Sequence, residues 1–134
     1  MKLCYQAATP DVAIADSVTA YQGTLDQSFG GLSRLGYDGV ELMTLNPGAL
    51  DWKEVKQTAD KYGLNVVLVC TGEIFGQLGL SYTSPVEDNR REAIRRSKEI
   101  IDFASYLGAN INIGRVRGQY CGCLLYTSDA ADEL

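Results

Sequence analysis

The sequence alternates short apolar segments with longer amphipathic ones, and a glycine stands at the end of each amphipathic segment. These glycines are Gly36, Gly63 and Gly108. Glycine is favoured just after the last turn of a helix because it adopts left-handed backbone angles without strain. The apolar segments are predicted strands at 3–8, 39–43, 65–70 and 110–114. Strands that alternate with helices predict parallel βαβ units, so the predicted fold class is α/β in the order β-α-β-α-β-α-β.

The predicted helices carry start signals and apolar stripes. Thr24 with Gln27, and Asp51 with Glu54, have the spacing of a capping box, and Ser84 is a predicted N-cap before Pro85. The first stripe is Leu25, Phe29, Leu32 and Leu35, and the last is Ala93, Ile94, Ser97, Ile100, Ile101, Ala104 and Leu107. The charged residues of the last helix predict a solvated face with ion pairs three and four residues apart: Asp88, Arg90, Arg91, Glu92, Arg95, Arg96 and Glu99. The glycine-rich segment with Gly72, Gly76 and Gly79 predicts a loop.

Two parallel architectures remain open, a doubly wound sheet and a barrel. The third predicted strand, 65–70, is almost entirely apolar, which is typical of a parallel strand covered on both faces. No G-x-G-x-x-G follows the first strand, so a dinucleotide site lacks its fingerprint. A complete (β/α)8 barrel takes about 250 residues. The 134 residues present would make half of one.

Composition excludes several functions. The net charge of −5 argues against binding to nucleic acid, which needs a basic patch. The chain contains no histidine, so histidine-based catalysis and histidine-bound metal are excluded within it. Its four cysteines suggest no disulfide framework, and neither a secretory signal nor a run of about 18 apolar residues is evident. We therefore expect a cytoplasmic protein that does not contact a membrane.

The sequence changes character after residue 120. A further amphipathic helix is expected there, but residues 123–133 resemble the translation of a sequencing adapter. We therefore predict one domain at 1–120 and a non-native tail at 121–134, to be left out of functional reasoning. A natural acidic tail is the alternative.

Six short segments carry a resemblance to a known family. The segments 35–42, 71–72 and 107–109 resemble the strand entries and exits of xylose-isomerase-like TIM barrels, a superfamily of sugar phosphate isomerases and epimerases. The segments 51–55, 79–81 and 113–118 are most similar to the group of 5-keto-L-gluconate epimerase-like enzymes. The resemblance implies that the chain is the N-terminal half of a (β/α)8 TIM barrel, truncated.

The resemblance also implies a chemistry. Such enzymes epimerise ketoses or keto-acid sugars through an enediolate, using a divalent metal (Mn²⁺ or Mg²⁺) held by two Glu, an Asp and a His on later strands. The two glutamates act as acid and base. None of these residues can be placed in this chain, so we expect no catalytic and no metal-binding residue here, and an inactive fragment of an enzyme. The alternatives are an endonuclease-type member of the same superfamily and a non-catalytic truncation product.

Barrel active sites lie at the carboxyl ends of the strands. That rule selects five candidate substrate-binding residues: Gln6, Glu41, Thr71, Gly72 and Arg117. Arg117 could pair with a carboxylate or phosphate of a small sugar or sugar acid. Each of the five has a structural alternative, as a satisfied polar group or an ordinary loop residue. Glu73 and Arg115 meet the same rule, but we expect loop and structural roles for them.

An open half-barrel would expose its two outer strands. The first and fourth strands would each present unpaired backbone groups that closure of a barrel removes. We therefore expect marginal stability, aggregation, or pairing of the chain with a second copy as a homo-oligomer.

Overall fold

Four parallel strands form one sheet, in which they lie side by side in chain order. The structure is a computed structural model that describes residues 2–13 and 15–119. The strands are β1 (Cys4–Ala8), β2 (Gly39–Met43), β3 (Asn65–Cys70) and β4 (Asn110–Asn112). The helices are α1 (Leu25–Arg34), α2 (Trp52–Lys61), α3 (Gly72–Leu78) and α4 (Glu87–Leu107), with 3-10 turns at Pro47–Ala49 and Arg115–Arg117. The predicted α/β class with a parallel sheet is confirmed. The boundary at residue 120 and the tail lie outside the described residues.

Capping groups set the bounds of the first two helices as predicted. The Thr24 hydroxyl accepts from the Gln27 amide, and the Gln27 side chain accepts from the Thr24 amide, which completes a capping box. Asp51 accepts from the amides of Lys53 and Glu54, so it caps α2, but the structure gives only this half of the predicted capping box. The three predicted stop glycines all have positive φ: 83° at Gly36, 67° at Gly63 and 71° at Gly108.

The last helix begins later than predicted. Val86, not Ser84, is the N-cap of α4. Ser84 belongs instead to a turn closed by its amide and the Ser81 carbonyl, and its hydroxyl accepts from the Val86 amide at 3.2 Å. Ser84 therefore orders the approach to the helix rather than its first turn.

The glycine-rich segment after β3 is not the predicted loop. Residues Gly72–Leu78 form the helix α3, which ends at Gly79 with φ 65°. Ile74 is fully buried and fixes the segment against the core. The low helix propensity of glycine, about 1 kcal/mol per residue, is outweighed by this burial and by close contacts that a side chain at Gly76 would obstruct.

The core lies between the helices and one face of the sheet. Ala7, Val40, Leu42 and Val69 point toward the helices and have no exposed surface. The prediction that β3 is covered on both faces is wrong for the described residues, because Val67 remains 38% exposed. The carboxyl half of the outer edge of β1 is not open as predicted, because Tyr21 pairs with it through backbone bonds to Gln6 and Ala8.

The buried stripe of α4 is rotated from the predicted one. Ala93, Ser97, Ile100, Phe103 and Ala104 face the core. Ile94 and Ile101 are 47% and 45% exposed, because each lies about 100° around the helix from a buried neighbour. The ion pairs predicted on the charged face are confirmed between Glu92 and Arg95 or Arg96, and between Arg95 and Glu99. Arg90 and Arg91 pair instead with Glu87, which was not in the predicted set. Hydrogen bonds from Arg95 and Arg96 lower the pKa of Glu92 to about 2.

Two element ends also differ from prediction. Leu35 is 70% exposed because α1 ends at Arg34, before Leu35 can join the stripe. The strand β4 stops at Asn112 because the Gly114 amide donates to the Thr71 hydroxyl and the chain enters a 3-10 turn. In the described part of the chain, no helix combines the length and apolar character needed to cross a membrane.

Candidate functional site

Polar side chains meet on the sheet face opposite the helices. Gln6 of β1 lies beside Glu41 of β2 in the parallel register, and Met43 lies beside Cys70 of β3. Side chains of paired residues in parallel strands point to the same side of the sheet. A register shift after Val40 leaves one residue of β3 unpaired and so places Cys70 on the same face as Glu41. Without that bulge, Cys70 would point toward the helices.

The Glu41 carboxylate is the centre of this cluster. Its Oε1 atom accepts from Gln6 Nε2 at 3.0 Å and from the Cys70 thiol. The residue is half-buried. Its second oxygen, Oε2, has no hydrogen-bond partner among residues 2–13 and 15–119. Two predicted site residues, Gln6 and Glu41, are therefore brought together, with one carboxylate oxygen open to a ligand.

Cys70 completes the cluster but was not predicted as a site residue. Burial, with a smaller contribution from the bond to Glu41, raises the pKa of the Cys70 thiol to about 12. The thiol therefore stays protonated near neutral pH and keeps donating to Glu41. The sequence offered no local signal for this contact, because Cys70 ends an apolar strand and the bulge depends on the neighbouring strand.

The raised pKa predicts low reactivity of Cys70. We expect iodoacetamide at about pH 8 to label the exposed Cys4 readily and to leave Cys70 unlabelled, because only the thiolate is a strong nucleophile. Peptide mass spectrometry of the labelled chain measures both sites. In denaturant the two cysteines should react alike. Equal labelling in the folded chain would contradict the geometry.

Thr71 and Gly72 join the ends of β3 and β4. Thr71 is fully buried, and its hydroxyl donates to the Asn112 carbonyl at 2.8 Å and accepts from the Gly114 amide at 3.1 Å. Gly72 begins α3, and its Cα lies close to Gly114. These two predicted site residues connect the carboxyl end of β3 to the end of β4 and the turn after it.

A cleft of about 640 Å³ opens at this edge. Residues from the loop after β1, the end of β2, α3 and the turn after β4 line it: Ala13, Ala15, Ser17, Val18, Thr19, Met43, Glu73, Gly76, Gln77 and Arg115. Met43 lies two residues beyond Glu41 on the same face of β2, so the cleft begins next to the Glu41 cluster. Glu73 and Arg115 are its charged residues and pair at 3.1 Å.

Arg117 lies apart from this cleft. It is exposed and borders a second depression with Asn112, Ile113 and Gly118, which Arg115 also lines. Arg115 and Arg117 bracket one 3-10 turn, in which each residue rotates the side-chain direction by about 120°. The structure therefore places the cation of Arg115, not that of Arg117, beside the predicted site residues.

Asp11 supports the edge from the β1 side. Its Oδ2 atom accepts from the Thr44 hydroxyl at 2.9 Å and from the amides of Leu45 and Asn46 at 2.7 and 2.6 Å. Its Oδ1 atom accepts from the Thr9 hydroxyl, two residues away. The partners of Oδ2 lie more than 30 residues away, so no local pattern could identify them.

The comparison with protein families decides between the two parallel architectures. The model of the xylose isomerase-like TIM barrel family matches residues 30–126, more than half of the chain. The chain belongs to that family. In such a barrel the helices form the outer ring and the active site lies at the carboxyl ends of the strands. The face that carries Gln6, Glu41 and Cys70 is thus the inner face of the xylose isomerase-like sheet.

Two solved structures are similar to this member of the family. One is AP endonuclease, family 2, from Brucella melitensis, at 17% identity and a TM-score of 0.49, covering 78% of this chain and 38% of that one. The other is 3-keto-D-glucoside 4-epimerase, YcjR, from E. coli in its apo form, at 14% identity and a TM-score of 0.49, covering 97% of this chain and 50% of that one. The chain thus spans half or less of their length. No curated protein matches it.

The divalent metal implied by the xylose isomerase-like resemblance does not fit the described residues. Residues 2–13 and 15–119 contain no group of three or more Cys, Asp or Glu side chains that could hold an ion. The Glu41 cluster offers one carboxylate, one thiol and one amide, and Glu73 is already paired with Arg115. This part of the chain can contact a substrate, but it offers no ligand set for Mn²⁺ or Mg²⁺.

Proposed function

We propose that this chain is the N-terminal half of a longer (β/α)8 barrel enzyme that isomerises or epimerises a ketose or keto-acid sugar. The proposal includes the narrower grouping with 5-keto-L-gluconate epimerase-like enzymes. The half-free carboxylate of Glu41, on the inner face of a xylose isomerase-like sheet, is the observation that supports it best. Four strands of the expected eight are described, and a full barrel takes about 250 residues.

In this proposal the chain supplies substrate binding rather than the reacting groups. Glu41 Oε2 accepts a hydrogen bond from a sugar hydroxyl, while Gln6 and the Cys70 thiol hold the carboxylate in place through Oε1. Because the described residues offer no metal ligand set, Mn²⁺ or Mg²⁺ and the acid and base belong to the rest of the barrel. The free cysteines Cys4 and Cys70 support a reducing, cytoplasmic setting.

An endonuclease activity is the alternative function within this family. Nucleic-acid binding depends on Lys and Arg that neutralise phosphates. The chain has 12 basic and 17 acidic side chains, and the cleft has a single arginine among the described residues that line it, too few to follow a phosphate backbone. These charges favour a small sugar or sugar acid as the partner.

Glu41 provides the test of this function. In the complete natural protein, Glu41→Gln should lower kcat/KM about 10- to 100-fold, because a hydrogen bond to a charged group contributes about 1.5–3 kcal/mol. Exchange of solvent deuterium into a panel of ketoses and keto sugar acids, with Mn²⁺ or Mg²⁺ present, measures the rate.

The matched control is Glu54→Gln on the exposed side of α2. It removes the same charge without touching the sheet face and should leave the rate unchanged. A wild-type protein that exchanges deuterium into none of these sugars would overturn the proposed function. Equal losses for both variants would remove Glu41 from the site.

A further inference from the structure

The arginine in the cleft packs against the face of α3 that carries Gly72 and Gly76. A Cβ atom at Gly76 would lie 2.7 Å from Arg115 Nη2, too close for the guanidinium to keep its place. A Cβ atom at Gly72 would lie 3.9 Å from Arg115 Nε, which is ordinary van der Waals contact. Gly72 and Gly76 are four residues apart and lie on the same face of the helix. The lack of a side chain at Gly76 leaves room for the guanidinium to approach the backbone of α3. This also accounts for Gly76 in a segment that nonetheless forms a helix.

The Glu73 carboxylate orients the Arg115 guanidinium. Its side chain is only 4% exposed, and its Oε1 atom accepts from Arg115 Nη2 at 3.1 Å. The other oxygen accepts from Gln77 Nε2 at 3.1 Å. Both carboxylate oxygens are therefore engaged, and the carboxylate has no free oxygen to offer a ligand or a metal.

Arg115 itself is only partly engaged. Its side chain is 52% exposed, and among the described residues one of its nitrogens, Nη2, donates a hydrogen bond to Glu73. A guanidinium has five N–H donors in a planar fork that matches carboxylate and phosphate oxygens. The hydroxyl residues Ser17 and Thr19 line the same cleft, and no further acidic side chain does so among the described residues.

We propose that Arg115 binds an oxyanion of the substrate, so that the substrate is an anionic sugar, carrying a carboxylate or a phosphate, rather than a neutral one. The proposal rests on the proposed function and adds the substrate class. Glu73 is the positioning residue, because its buried carboxylate holds Arg115 Nη2 beside Gly76 in the lining of the cleft. The sugar then lies between Arg115 and the Glu41 cluster, whose position next to Met43 marks the inner end of the cleft.

Three probes of similar size test the substrate class on the complete natural protein. D-Gluconate carries a carboxylate, D-glucose 6-phosphate carries a phosphate, and D-glucose is neutral. We expect saturable shifts of the Gly72 and Gly76 amides and of Arg115 Nε–H in NMR titrations with at least one anion. D-Glucose should bind at least about tenfold more weakly than the preferred anion, the loss expected for one charge-assisted hydrogen-bond pair. The preferred anion distinguishes a sugar acid from a sugar phosphate. Equal affinity for all three probes would overturn the proposal.

Four variants test whether Arg115 causes the preference for anions. Gly76→Ala keeps every charge but displaces the guanidinium, and it should reduce anion affinity several-fold. Arg115→Gln leaves Glu73 buried without its partner, so the double variant Glu73→Gln/Arg115→Gln removes both charges together. We expect the double variant to lose the anion preference while its amide spectrum stays folded. Arg34→Gln on the exposed end of α1 removes the same charge far from the cleft and should bind normally.

Arg117→Gln separates the two arginines of the turn. If this variant, and not the Arg115 variants, loses the anion preference, the inference fails in favour of Arg117. The proposed function is judged separately by deuterium exchange in the complete protein. Deuterium exchange into the sugars without a preference for anions would overturn only the proposed substrate class. A preference for anions without deuterium exchange would overturn only the proposed function.

Discussion

Replacing Phe103 by alanine is expected to lower the free energy of unfolding by about 3–5 kcal/mol, the range for a fully buried phenylalanine. Phe103 has no exposed surface, and its ring centroid lies 5.4 Å from that of Trp52, so it joins α4 to α2 across the core. Urea unfolding followed by far-ultraviolet circular dichroism measures the loss without depending on the fluorescence of Trp52. Most domains have a total stability of about 5–15 kcal/mol, so this variant should be largely unfolded at moderate urea.

Tyr106→Ala is the matched control for that prediction. Tyr106 lies on the same helix and also contacts Trp52, with ring centroids 5.6 Å apart, but it is 44% exposed. We expect its removal to lower stability by about 1 kcal/mol, the typical effect of a half-exposed aromatic pair. If the two variants were equally stable, the stripe that α4 presents to the core would be misassigned.

Asp11→Ala is expected to lower stability by about 2–4 kcal/mol, because the hydroxyls of Thr9 and Thr44 and two backbone amides lose one charged acceptor. The Thr44 hydroxyl and the amides of Leu45 and Asn46 all bond to Asp11 Oδ2, and Thr44 is fully buried. The loss should also disorder the loop after β2, visible as faster hydrogen exchange at Leu45 and Asn46.

Two comparisons make the Asp11 result specific. Asp11→Asn keeps an oxygen that can accept from the same donors and should lose about 1 kcal/mol less. Asp16→Ala removes an exposed carboxylate nearby and should change stability by about 0.5 kcal/mol or less. Unchanged exchange at Leu45 and Asn46 in Asp11→Ala would show that the loop does not depend on this carboxylate.

The features that the sequence predicted well are those set by neighbours along the chain. Thr24 and Asp51 cap helices with groups three residues away, and Gly36 stops one by its own backbone freedom. The strand ranges 39–43 and 65–70 match the structure because turn signals bound each apolar segment. These local rules were sufficient for the order of the four strands and for the parallel sheet, but not for the extra helix α3.

The features that the sequence missed depend on contacts across the fold. Composition alone predicted a loop at Gly72–Leu78, because the burial of Ile74 that stabilises α3 is a tertiary effect. Ile94 and Ile101 fit a helical repeat as well as their buried neighbours do, so periodicity could not decide which stripe faces the core.

The site was predictable only in part for the same reason. The rule that barrel sites lie at strand ends selected Gln6 and Glu41 separately, and the structure shows that their side chains are hydrogen-bonded on one face. Their role in substrate binding stays a prediction. It could not find Cys70, whose orientation is set by the bulge opposite Val40. It also favoured Arg117 over Arg115, since only the path of the 3-10 turn decides which of the two points into the cleft.

The pairing of Glu73 with Arg115 has a consequence for biosynthesis. The two residues are 42 positions apart, and at about 5–20 residues per second the ribosome adds the arginine about 2–8 s after the glutamate. During that interval the carboxylate of Glu73 cannot enter its final, nearly water-free position without a counter-charge. The cleft therefore cannot reach its final form before the 3-10 turn that carries Arg115 has been translated.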